Sequence, residues 1–399
     1  MGRAPALIGL ACAPVTESSQ DTEAAAGDPV GAATASPSRT GMRAQRRQQP
    51  SAPPLLTTMG PIRSIRRLLI VLTAALALLA PIAFVAPAAA MPDDMGGAAR
   101  LAEPAVVRID TEVDYQGVIG LGTGVVLDPG GQVMTNFHVI QGADRITGTV
   151  GGRSYPAVLV GYDRGRDIAV MQLLGAGGVP AAIIGDSNLL VPGEPVVALG
   201  NSMGSHAPLT WEVGTVTGFG RTVNAEDTLT GSTDELVGLI EFAAPVRAGD
   251  SGGPLVNGAG HVVGITTAAS VNFRMGPGGK GFAIPMNDAM GVANQIRAGI
   301  PSDTVHIGPP VLLGVGVRTT PRDEPGVFIQ EVLRGGPAEQ AGLLDRDILI
   351  TLDGVLLNSS NTLTSVLDRH YPGDLVDLSW IDGAGQTRTG KAMLTPDFN

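Results

Sequence analysis

Apolar residues from Ala105 to Ile284 recur in short runs. Examples are Ala105–Ile109, Gly124–Leu127, Val158–Val160, Ala169–Leu173, Val196–Leu199 and His261–Thr266, each bounded by Gly, Pro, Asn or Asp. Runs of this length are strands rather than helices, and Asp128-Pro129-Gly130-Gly131 reads as a hairpin turn between two of them. The pattern predicts an all-β barrel or sandwich. One helix is expected after it: Asn287 can cap it, Ala289, Met290, Ala293 and Ile296 share a face, and Gly299 can end it. A proline-rich stretch from Ile300 to Pro310 then reads as a linker that few contacts cross. The last part mixes strands (Gly326–Ile329, Asp347–Leu352, Leu375–Ile381) with two short helices, near Pro337–Gln340 and Asn361–Arg369. No tandem repeat is present.

The N-terminal region has a different pattern. Residues 1–58 are low in complexity, rich in Ala, Pro, Ser, Thr, Gln and Arg, and lack the apolar periodicity that a packed core needs. Arg63, Arg66 and Arg67 then precede an apolar run from Leu68 to Val85 that ends in Ala88-Ala89-Ala90. A basic start, an apolar core and an A-x-A site make residues 59–90 a signal peptide cut after Ala90, with a retained membrane anchor as the alternative. Cleavage implies a secreted or cell-envelope protein, and uncut the chain would be membrane-anchored. Translation from Met59 rather than Met1 would place the signal at the terminus.

Charge and cysteine usage narrow the function. The chain has 399 residues, 26 Lys+Arg and 37 Asp+Glu, and a net charge of −11. This balance argues against nucleic acid as a partner, because phosphate binding needs clustered positive charge. The single cysteine, Cys12, allows no intramolecular disulfide and no Cys-based zinc site. The five histidines (138, 206, 261, 306 and 370) show no metal-ligand spacing, so no metal or organic cofactor is implied.

Serine hydrolysis needs a hydroxyl, an imidazole to take its proton and a carboxylate to orient the imidazole. Gly249-Asp250-Ser251-Gly252-Gly253-Pro254 puts a serine in a glycine-rich turn whose N–H groups can converge on an oxyanion. Thr135-Asn136-Phe137-His138-Val139 supplies a base after a strand end. Asp163-Arg164-Gly165-Arg166-Asp167 supplies a carboxylate before an apolar strand. Each residue alone has a plainer reading: a loop serine, a surface or core histidine, a strand-capping acid. The three together are hard to obtain by chance.

These segments resemble the trypsin-fold serine proteases of the HtrA (DegP-like) type, in particular their secreted actinobacterial PepA-like branch with a C-terminal PDZ domain. The resemblance runs from about Val106 to Pro396 and also includes Gly122-Thr123-Gly124 and Gly281-Phe282-Ala283-Ile284-Pro285. It implies an all-β double barrel of the chymotrypsin type over residues 97–300, a linker over 301–310 and a small α+β PDZ domain over 311–396. It further implies a triad of Ser251 as nucleophile, His138 as general acid/base and Asp167 as orienting carboxylate, with the N–H groups of Gly249 and Ser251 as the oxyanion hole. By the same resemblance Pro245 lies near the floor of the substrate pocket, and Thr267, Ala268 and Ala269 line a wall. No acid precedes the nucleophile in Ala243-Ala244-Pro245-Val246, so a small or medium apolar side chain fits the pocket better than Arg or Lys. Leu312, Leu313, Gly314 and Val315 match the PDZ carboxylate-binding loop, where an apolar C-terminal peptide would add a strand. Relatives of this type are often trimers, which makes a homo-oligomer an expectation.

Departures from the family pattern are specific. Asp250 stands where the family has Asn, and a buried carboxylate there needs a partner. Phe137 replaces a small or polar neighbour of the histidine and is expected to shape the substrate side of the cleft. Arg346 occupies a turn where the family commonly has Gly. Gly200-Asn201-Ser202-Met203-Gly204 also fits the nucleophile elbow of α/β-hydrolase esterases. However, Pro208 and the β-like Trp211–Thr217 follow instead of a helix, and the order His138, Asp167, Ser251 is not theirs. The reading is therefore an exported serine endopeptidase acting on proteins or peptides. A dormant, chaperone-like peptide binder on the same fold is the alternative.

Overall fold

A computed structural model describes residues 95–113, 118–204, 207–226, 233–269, 279–320 and 325–397. The N-terminal extension and the signal segment lie outside the described residues. Helix α1 (Met95–Ala102) leads into strands β1 (Val106–Val113), β2 (Val118–Val126), β3 (Gln132–Thr135), β4 (Arg145–Val150), β5 (Arg153–Asp163) and β6 (Ile168–Leu173). The one-turn helix α2 (Phe137–Ile140) follows β3. Neighbours run β5-β4-β1-β2-β3-β6, and β6 returns to pair with β5, so these strands close on themselves. Val107, Ile109, Val133, Ile140, Met171 and Leu173 fill the interior.

The second barrel is closed in the order β10-β11-β12-β9-β8-β7. Its strands are β7 (Pro195–Gly200), β8 (Thr210–Glu226), β9 (Thr233–Ala243), β10 (Pro254–Asn257), β11 (Val262–Ala269) and β12 (Gly281–Pro285). Val196, Val216, Ile240, Phe242, Leu255 and Ala283 pack inside it. Met134, Ile168, Val197, Leu199 and Ile265 belong to a separate apolar cluster that joins residues of both barrels. The expected double barrel is thus present, and the β-like stretch Trp211–Thr217 is the start of a much longer hairpin.

Helix α3 (Met286–Arg297) buries Met286, Ala289, Val292, Ala293 and Ile296. Its N-cap is Pro285 rather than Asn287. The Asn287 side chain instead accepts from the Ser187 amide at 3.2 Å and donates to Asp186 at 2.7 Å, tying the helix to an inter-barrel turn.

The proline-rich segment is not a free linker. Val305–Ile307 forms strand β13 and pairs antiparallel with Gly161–Asp163 of β5. A three-residue strand carries no periodicity to read. Its partner, not its own sequence, makes it a strand. Beyond it, β14 (Val311–Leu312), β15 (Val315–Thr319), β16 (Val327–Val332), β17 (Ile348–Leu352), β18 (Val355–Leu356), β19 (Leu375–Ile381), β20 (Thr387–Met393) and β21 (Thr395–Pro396) accompany helices α4 (Pro337–Ala341) and α5 (Ser360–Leu367). The main sheet runs β15-β16-β17-β19-β20, which leaves β15 at an edge. Val327, Ile329, Leu349, Leu352, Leu363, Val366 and Trp380 form its core. Leu363 and Val366 of α5 therefore fill the interior. The barrels and this C-terminal part belong to one unit of the chain.

Candidate active site

His138 lies on α2, immediately after the β3 end that places it at the barrel seam. Its ring Nδ1 is 2.8 Å from Asp167 Oδ2, and its own amide donates to Asp167 Oδ1 at 3.0 Å. One carboxylate thus fixes both the ring and the backbone of the histidine. Asp167 is buried in the β5–β6 turn with φ of 53°, a left-handed conformation costing about 1–2 kcal/mol for a residue with a Cβ. Two hydrogen bonds hold it there: its amide donates to the Arg164 carbonyl at 3.0 Å, and its carbonyl accepts from Asn136 Nδ2 at 2.9 Å.

Thr267 on β11 completes the carboxylate's set, its hydroxyl donating to Asp167 Oδ2 at 2.5 Å. Its carbonyl accepts from Ser251 Oγ at 3.4 Å. One residue therefore bridges the carboxylate and the serine. The Thr267 side chain is buried and faces Asp167. Ala268 and Ala269 continue the strand, paired with Phe282 and Gly281. Pro245 is exposed ahead of the nucleophile turn, and its Cα is where a Cβ on Gly279 would clash.

The Ser251 turn is held by a residue with no catalytic chemistry of its own. Thr123 on β2 donates its hydroxyl to the Gly249 carbonyl at 2.6 Å and accepts there from the Asn201 amide at 2.9 Å. Its amide donates to the Ser251 carbonyl at 2.9 Å, and its carbonyl accepts from the Thr135 hydroxyl at 2.7 Å. The turn is pressed so closely on β2 that a side chain on Gly252, at φ of 83°, would run into the Thr123 carbonyl and the Thr135 hydroxyl. Among the described residues, the amides of Gly249 and Ser251 donate to no protein acceptor.

Asp250 finds its partners inside the fold. It is 1% exposed and accepts from the Arg247 amide at 2.8 Å and the Thr210 hydroxyl at 2.9 Å. The Ser202 hydroxyl and amide also bond it. Burial nonetheless pushes its carboxyl above the ordinary Asp value, against the downward pull of these donors. The serine of the second G-x-S-x-G segment is thereby accounted for: Ser202 supports Asp250 and lies 3.0 Å from the Thr210 hydroxyl. Gly200 in the same segment leaves room for the Asp250 carboxylate.

Phe137 does not line the cleft. It is buried, stacked on Tyr162 with centroids 4.2 Å apart, and lies 4.6 Å below the Arg164 guanidinium. A β5 tyrosine two positions from the turn was the only sequence cue to that pairing, and alternation along β5 alone would not select it. In the C-terminal part, Leu313 is buried and Gly314 has φ of 80° between β14 and β15. Leu312 pairs with Thr395, and Val315 starts the edge strand opposite Val332. Arg346 adopts φ of 74°, a left-handed conformation that glycine takes without strain.

Two closed β-barrels with a histidine–carboxylate pair and a glycine-bounded serine at their seam define a trypsin-like peptidase, here followed by a PDZ domain. A family model of the trypsin-like peptidase domain matches residues 122–265, and one of the PDZ domain matches residues 311–384. The serine protease PepD of Mycobacterium tuberculosis (strain ATCC 25618 / H37Rv) is 30% identical over 326 residues, covering 77% of this chain and 68% of the relative. The serine protease Do-like HtrB of Bacillus subtilis (strain 168) is 31% identical over 275 residues, which is 66% of this chain and 59% of that protein. The chain thus matches less than two thirds of the length of the Bacillus relative. A solved HtrA-type protease AlgW with decapeptide is 26% identical, with a TM-score of 0.43 over 76% of this chain and 98% of that one. The chain belongs to the HtrA family of serine proteases.

Proposed function

We propose that this protein is an exported serine endopeptidase of protein or peptide substrates. Ser251 attacks the scissile carbonyl, His138 takes its proton and returns it to the leaving amine, and Asp167 holds the imidazole and its developing charge. The N–H groups of Gly249 and Ser251 receive the oxyanion. The observation that carries this reading is the Asp167 carboxylate. It is bonded at once by the His138 ring, the His138 amide and the Thr267 hydroxyl, whose residue also meets Ser251. Residues 97–300 form the peptidase and residues 311–396 the PDZ domain, where apolar C-terminal peptides add to the β15 edge beside α5. Cleavage follows small or medium apolar residues. Export is supported by the signal-like segment 59–90 and by family members such as the probable periplasmic DegP-like endoprotease of Pseudomonas savastanoi.

Labelling by a fluorophosphonate and hydrolysis of a peptide library test the proposal together. Ser251→Ala is expected to abolish labelling and lower turnover by about 10⁴-fold or more. A dormant, chaperone-like binder would bind peptides with no labelling at all. Retained turnover in Ser251→Ala would remove the serine from its role.

A further inference from the structure

The C-terminal part touches the first barrel directly behind the two segments that carry His138 and Asp167. Asp368 caps the C-terminal end of α5. Its carboxylate accepts from Tyr162 Oη at 2.7 Å, from Arg164 Nε at 2.8 Å and from Arg164 Nη2 at 3.2 Å. The Arg164 and Asp368 side chains are only 15% and 20% exposed, so this ion pair is shielded from water. Tyr162 and Arg164 in turn both lie against Phe137, the residue before His138. The Arg164 carbonyl is also the acceptor that closes the turn under Asp167. The joint continues outward: His306 of β13 stacks on Tyr162 and on Tyr371, and its ring nitrogens face the carbonyls of Asp368 and Pro309 at 3.0 and 3.1 Å.

We infer that Asp368 is a positioning residue for the peptidase centre, placed in the PDZ domain. Through Arg164 it steadies the left-handed turn of Asp167. Through Tyr162 and Arg164 it steadies Phe137, and with it the helix of His138. Small displacements of reacting groups are expensive in rate, so loss of this tie lowers turnover although Asp368 touches neither substrate nor triad. The inference rests on the peptidase reading above. It also gives that reading a regulatory route, because α5 is the helix beside which a PDZ ligand would dock, and Asp368 is its C-cap.

The test uses the full chain and an amidated peptide substrate that offers no free carboxylate to the PDZ groove. Asp368→Ala is expected to lower kcat about ten- to a hundredfold with KM changed little, and to slow fluorophosphonate labelling by a similar factor. Arg164→Ala should give a comparable loss, and the double variant should be no worse than either single one. Asp368→Glu, which restores the carboxylate, should recover part of the rate. Asp368→Asn keeps the size while removing the charge, and decides the matter if the alanine variant fails to fold. A residue that merely stabilises the PDZ domain would lower its melting temperature and peptide binding and leave kcat unmoved. Unchanged or raised kcat in folded Asp368 variants, or fully additive losses in the double variant, would overturn the inference and leave the peptidase reading standing. A wild-type chain that neither labels nor hydrolyses would overturn both.

Discussion

Asp250 precedes the proposed nucleophile as a buried acid surrounded by hydroxyl and amide donors. Burial raises its carboxyl above the ordinary value, so across that window the folded chain holds a proton the unfolded chain releases. The stability it contributes is therefore full below the ordinary Asp range and is lost as pH rises through the raised value. Asp250→Asn is neutral throughout and can still accept from the Arg247 amide. It is expected to melt higher than the wild type at pH 7 to 8, with the difference shrinking as pH falls towards about 3, below the ordinary Asp pKa. A difference that stays constant in melts across that range would show that the charge is not the cause. Thr267 gives a second prediction at this scale. Removing its hydroxyl leaves Asp167 Oδ2 with one donor fewer, so Thr267→Val should lower kcat by about tenfold and cost about 1 kcal/mol of stability, measured by hydrolysis and melting together. Wild-type kcat in that variant would show that the hydroxyl is dispensable for the carboxylate.

Elements show most directly what the sequence made legible. Motifs whose chemistry is local were readable: the Gly249–Pro254 turn, the strand end before His138 and the strand Leu375–Ile381 all stand where their residues indicated. What was missed is tertiary. β13 exists because β5 offers it an edge, and the β8–β9 hairpin outruns its readable portion because its polar, glycine-broken outer half is paired rather than patterned. Phe137 reads as a cleft residue from its place beside His138, and only the ring of Tyr162 draws it the other way. The turn before β17 supplies a prediction of its own. Arg346 keeps φ of 74° there at a cost that glycine does not bear, so Arg346→Gly should stabilise the chain by about 1 kcal/mol in denaturant unfolding. Destabilisation would mean that the Arg346 side chain makes contacts outweighing its backbone strain.

Taken as a whole, the molecule is less divisible than its two family matches suggest. Ending the chain after Pro301 would strip β13 from β5, uncover Tyr162 and remove Asp368 from Arg164. Such a truncated chain is expected to label with a fluorophosphonate at least about tenfold more slowly than the full one, despite retaining Ser251, His138 and Asp167. Equal labelling rates would show that the barrels hold their own active site.

The row of rings at this joint also makes it observable without any added label. The His306 imidazole lies between Tyr162 and Tyr371, with ring centroids 5.0 and 4.5 Å away and planes tilted by 28° and 23°. Ring currents from two nearly parallel tyrosines add on the imidazole carbon-bound protons and shift them upfield. The chain has only five histidines, so the Hε1 resonance of His306 should stand apart from the other four in a proton–carbon correlation spectrum. Movement of that one signal towards the random-coil position would report the two parts of the chain separating, in solution and residue by residue.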